Sequence, residues 1–431
     1  MRNGGRNGSA DQPAEGPRAL HLVVSRGWVA VLVVLLLVPW VMVAVLMRLY
    51  KPSKGAGSLG STFASPLTSS GSIRAKAGPW GDLEYTRIII APPTGFIKEV
   101  LPGTFGNQWH FPNTDRGQLE HFLASVDLTE TQRAEVLAVA QPMPAINGLV
   151  IDPPEDLIRG LSSKARAGIY SLLKDNELNK DQVNAFRFCG ESADQWLGGG
   201  GLAPATVEMV RPLIYRNGLL LFFSDLRLVL PKLPASEERA RLLKTLSREA
   251  TMLVRLRISE RTDVDALANY WARGGRAKDV RPILESLAQL PGTNTIDVTH
   301  LLPPFARRRI YTYPSPSVDA NAPWHDCYWT ALNFFSEQPD ERYTNKEVVT
   351  ETLKNEFYRV YSDYELGDVV LFARDDGTII HAAVYIADDI LYSKNGNRPS
   401  NPWMFIRLDE MKDYYASTKP LQITFCRRTG F

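Results

Sequence analysis

From about Tyr311 onward the apolar residues change period, and that change constrains the fold more than any other feature of the chain. Helical spacing comes first, with Ala331, Leu332, Phe334 and Phe335 following Pro323 and Asp326. A second helical stretch, from about Asn345 to Tyr358, has Thr344 as its expected N-cap and Glu347 three residues later, the pattern of a capping box. Period-two and β-branched segments then take over at 368–373, 379–387, 390–393, 404–408 and 421–427. Asp375-Asp376-Gly377 reads as the hairpin turn between the first two. Helices followed by several short antiparallel strands make an α+β unit.

Cys327 stands where the first of these helices should begin, directly after Asp326. A thiol at a helix N-terminus sees the positive end of the dipole, which favours the nucleophilic thiolate. The matching base is His381, inside the apolar strand Thr378-Ile379-Ile380-His381-Ala382-Ala383-Val384-Tyr385-Ile386, which would hold an imidazole rigidly. Cys189 and Cys426 have neither a following apolar helix nor a partner and read as structural. Three cysteines cannot build a disulfide framework, and no Cys/His spacing matches a zinc site, so no metal and no cofactor is expected. His110, His121 and His300 sit in aromatic or apolar surroundings without a motif and read as packing residues.

Asp326-Cys327, then Leu366-Gly367-Asp368-Val369-Val370-Leu371-Phe372, then His381-Ala382-Ala383-Val384-Tyr385-Ile386 resembles the NlpC-type, papain-like cell-wall cysteine peptidases. The likeness covers roughly the last 120 residues and leaves the first 310 unexplained. It implies a Cys327 nucleophile, a His381 base and a third polar group one strand later. Asn395 is the choice there, because an amide oxygen accepts the second ring N–H and fixes the tautomer, and Ser393 is the runner-up. The resemblance also implies supporting parts for Asp326 and for a tyrosine ahead of the cysteine, here Tyr313. Where the family has Ser-Gly after the cysteine this chain has Tyr328-Trp329, which implies a narrower cleft.

Residues 1–26 read as a disordered tail. Residues 27–47 carry no charge and are long enough to span a bilayer as a single transmembrane helix, with Pro39 as a tolerated kink. Residues 48–79, rich in Ser, Gly, Ala and Pro, read as a flexible linker. Residues 80–310 read as a mainly helical domain after one strand at 85–91. The expected helices are 115–126, 128–140, 162–174, 205–215, 236–257, 264–271 and 279–290. Residues 311–431 are the NlpC-like domain. Gly198–Gly201 lacks the Lys-Ser or Lys-Thr of a phosphate loop and reads as a hinge.

A formal charge of +2 gives no whole-chain argument for nucleic acid as a partner. The resemblance implies a membrane-anchored cysteine hydrolase that cleaves an amide bond in a peptidoglycan stem peptide, its globular part facing the periplasm or cell exterior. Two alternatives stay open at this point. One is an anchored binding or scaffold protein without turnover; the other is a thiol acyltransferase or protein peptidase using the same residues.

Overall fold

The computed structural model describes residues 71–97, 108–189, 192–233, 235–314, 325–396, 400–416 and 418–430. Residues 64–431 form one compact unit. The tail, the expected transmembrane helix at 27–47 and most of the linker lie outside the described residues. Among those described, no helix is long and apolar enough to cross a membrane, which corrects the expectation of a single-pass protein facing the cell exterior as far as the described residues go.

The expectation of a mainly helical segment at 80–310 is corrected as well, since three sheets lie largely within it. The largest joins β1 (Ile73–Arg74), β2 (Asp82–Ile90), β9 (Glu249–Ser259) and β10 (Thr293–Asp297) in that order. Two three-stranded sheets accompany it. One is β3 (Trp109–Phe111), β5 (Gly148–Ile151) and β4 (Ala140–Met143); the other is β6 (Phe186–Cys189), β8 (Leu220–Phe223) and β7 (Tyr215–Asn217). The helix expected over 236–257 ends at Leu246, and β9 begins three residues later. The reason is periodicity: Ala250, Met252, Val254, Leu256 and Ile258 are buried while Arg255 is exposed, a spacing of two that only a strand can use.

The C-terminal sheet has six strands in the order β11 (Phe357–Val360), β16 (Gln422–Arg428), β12 (Val369–Ala373), β13 (Ile379–Ala387), β14 (Ile390–Lys394) and β15 (Trp403–Arg407), every pair antiparallel. The β12–β13 connection is the tight turn at Asp375-Asp376-Gly377. Arg374 and Thr378 close it through a 2.9 Å backbone hydrogen bond, and Gly377 takes φ +81°. Asn345, rather than Thr344, caps the helix Lys346–Glu356, its Oδ1 accepting from the N–H groups of Glu347 and Val348.

Both faces of this sheet are covered. Ala382, Val384 and Ile386 of β13 share one apolar cluster with Trp329 and Leu332 from the Cys327 helix, with Phe334 just after it, and with Val254 and Leu256 of β9. The opposite face, with Phe372, Ala383, Tyr385 and Leu391, packs under Met411 and Tyr415 of the helix Leu408–Tyr415. The two halves of the chain are also stitched by polar contacts. Thr251 on β9 donates its hydroxyl to the Phe405 carbonyl (2.8 Å) and accepts from the Phe405 N–H (3.1 Å).

Candidate active site

Cys327 is the first residue of a short helix, Cys327–Leu332, whose N-cap is Asp326. The Asp326 carboxylate accepts from the Trp329 N–H at 3.0 Å, which fixes the first turn and aims the Cys327 side chain inward. The sulfur takes a hydrogen bond from the backbone N–H of Ala382, the residue after His381. It lies where β13 and β14 part: their pairing runs through Val384–Tyr392 and does not extend to Ala382. Tyr328 braces the same corner by donating its hydroxyl to the Ile379 carbonyl at 2.7 Å.

His381, Ser393 and Asn395 form a buried relay. His381 Nε2 lies 2.9 Å from Ser393 Oγ, and Ser393 Oγ donates to Asn395 Oδ1 at 2.8 Å. The Asn395 oxygen can only accept, so the serine hydroxyl must donate to it, and its free lone pairs then accept from Nε2–H. That order leaves Nδ1 as the unprotonated nitrogen. Nδ1 is buried with no hydrogen-bond partner among the described residues, the position of a base awaiting a proton. Ser393, the sequence runner-up, therefore touches the imidazole, and Asn395 acts through it.

Thiol and imidazole come to neighbouring places without joining. The Cys327 helix covers one face of β13. The His381 ring turns to the other, where Tyr415 stacks on it at 4.4 Å and Phe372 lies 5.7 Å away. A register shift in β13 opposite Phe372 and Ala373 displaces the strand at this point and sets the direction of the ring. Burial governs both titrations. It pushes the Cys327 thiol up to about 12, with the Asp326 carboxylate adding to the shift, and pushes His381 down to about 3. At neutral pH the pair is thiol plus neutral imidazole, and the helix dipole does not overcome the loss of solvent.

Lys394, which the sequence reading did not single out, is fully buried at the end of β14 and donates to the Gly396 carbonyl at 2.6 Å. Burial brings its ammonium down to about 8, while the nearby Cys327 and Asp326 pull the other way. A lysine inside an otherwise apolar strand was the signal available for it. Tyr415 had no such signal, since it arrives from a different element. The charged group that bears on Tyr313 is Glu249 on β9, and its hydroxyl is buried without a partner among the described residues. Among the described residues no group of three or more His, Cys, Asp or Glu is placed to hold a metal ion.

Tyr415 is held over the imidazole by the segment at 80–310. Arg87 on β2 pairs with Glu410, the Leu219 N–H donates to Asp413 at 2.6 Å, and Lys174 donates to the carbonyls of Tyr414 and Ala416 at 3.1 and 2.8 Å. The helix carrying the cover is thus fastened at three points outside the C-terminal sheet. Comparison with family models, with curated proteins and with solved structures finds no match to this chain.

Proposed function

We propose that the chain is a cysteine hydrolase of amide bonds, with Cys327 as nucleophile, His381 as base and the Ser393–Asn395 pair as the group that fixes the imidazole. The observation that carries this reading is the bare, buried Nδ1 of His381 beside the residue that holds the sulfur. Attack by sulfur on an acyl carbon transfers the thiol proton to Nδ1, and the same nitrogen returns it to the leaving amine. The Cys327 N–H at the helix start is the group proposed to share the negative charge on the acyl oxygen. Water then releases the acyl group. The motif order resembles enzymes of the cell wall, and peptidoglycan stem peptide is the substrate class proposed on that ground.

In this reading substrate binding displaces Tyr415 from the imidazole before sulfur and Nδ1 meet. A second reading, a binding protein without turnover, is favoured by one observation: the thiol is sealed, only 6% exposed. Incubating the full chain with a panel of stem peptides separates the two. Amide cleavage that disappears in Cys327→Ala and in His381→Ala, with a thioester on Cys327 trapped by acid quench, is the expected result. Absence of product and adduct both in the native chain and in Tyr415→Ala would leave the binding protein as the answer.

A further inference from the structure

Next to the relay, lined by Asn395 but not by Ser393 or His381, the structure contains a polar cavity of about 120 Å³ that the hydrolase reading does not use. Its wall includes Arg187 from β6, Glu249 from β9, Asn395, Asn401 and Tyr414. The volume is several times the roughly 10–15 Å³ that a single water needs on the same measure. Arg187 lies over the Tyr414 ring at 4.3 Å and donates one N–H to the Val183 carbonyl, but its buried Nε has no partner among the described residues. It makes no ion pair among the described residues. Asn395 is 2% exposed, and its Nδ2 is likewise buried and unpartnered, because its oxygen is committed to Ser393.

We infer that this cavity is a second ligand site that takes a small carboxylate, bound by the Arg187 guanidinium and the Asn395 amide N–H. Two donors unpartnered among the described residues, one of them on a cation that makes no ion pair there, call for an anion with several lone pairs. Glu249 would oppose such a guest if ionised. The groups that bear on it are Arg187 and Cys189 from β6 and the Tyr313 hydroxyl, and burial brings its carboxyl up to about 8, so that near neutrality it presents a proton. The bound carboxylate also holds the Asn395 amide in the orientation that accepts from Ser393, so occupancy is felt at the His381 ring. The site stands whether or not Cys327 turns over an amide.

The test titrates the full chain with propionate, and with propionamide as its uncharged shape analogue, by calorimetry and by ¹⁵N spectra of the imidazole. Saturable propionate binding at least tenfold tighter than that of propionamide is expected, with a shift at His381 Nε2. Arg187→Gln should weaken it about tenfold or more, as loss of a charged hydrogen bond does. Affinity should fall above about pH 8 as Glu249 ionises. Glu249→Gln should bind and lose that fall, which keeps the test open if the arginine variant does not fold. Equal responses to propionate and propionamide, or a propionate response that never saturates, would overturn the inference, leaving a cavity filled by water.

Discussion

Replacing Tyr415 with alanine should convert Cys327 from an inert thiol into a reactive one. The ring covers the imidazole at 4.4 Å, and the sulfur is close enough to the Tyr415 hydroxyl to bear on its ionisation. Burial is the leading reason that the thiol titrates near 12, so admitting water lowers that value. Recovery of half the distance to the free-thiol value of about 8.5 raises the thiolate fraction roughly 50-fold at neutral pH, since each unit is a factor of ten. Loss of the half-buried ring costs about 2–3 kcal/mol of stability, less than the whole margin of a chain this size. The assay is the rate of iodoacetamide capture read by peptide mass spectrometry, with Cys189 and Cys426 in the same digest as internal controls. Tyr415→Phe, which keeps the ring, should behave as the native chain. A folded Tyr415→Ala variant whose Cys327 reacts no faster, or only in step with Cys426, would refute the idea that this ring is what seals the site.

Three further outcomes follow from the same geometry. Ser393→Ala strands the buried Nε2–H and should cost about 1–3 kcal/mol in urea unfolding. It should also scramble the imidazole tautomers in ¹⁵N spectra and lower any amide turnover about 100-fold. His381 titrates near 3 in the folded chain against 6.5 when exposed, so the unfolded state takes up the proton first. Its contribution is complete above about pH 6.5 and is lost as pH falls toward 3, at up to about 1.4 kcal/mol per unit, so His381→Gln should flatten the acid limb of a stability profile. Gly367 has φ +94°, and a Cβ there would lie 2.1 Å from the Phe335 ring. Gly367→Ala should destabilise by about 2 kcal/mol or more, and Phe335→Ala in the same chain should restore part of it.

The C-terminal strands were legible because each is short, apolar and bounded by a turn residue with a single reading. The Asp376-Gly377 pair admits little except a tight turn, and the segments at 369–373 and 379–387 follow from it. Residues 236–257 misled because Leu, Arg and Met suit helices, and the switch from period 3.6 to period 2 falls within three residues at Ser247–Glu249. Within the site, Cys327, Asp326 and His381 are local signals of residue type and neighbourhood. The order Ser393 before Asn395 is not, because it depends on which strand residue turns toward the ring. The cover was invisible for a stronger reason: Tyr415 reaches His381 on a helix oriented by Arg87, Lys174 and Leu219, contacts hundreds of residues apart in the chain. Sequence patterning reports which face of an element is apolar, not which distant ring will lie on it.

The position of β16 also bears on how the chain comes off the ribosome. Residues 422–428 pair with β12 on one side and β11 on the other, so a strand made late occupies the interior of the six-stranded sheet. Until it emerges, β11 and β12 each present an open edge to other nascent chains. Premature termination before residue 422 would therefore do more than shorten the product. It would leave a permanent gap between two strands, with Cys426 missing from the shared core and Arg427 missing from its pairing with Asp368. Such truncated copies are expected to be recovered as aggregates, and co-translational chaperones should be found on the chain between the synthesis of β11 and that of β16.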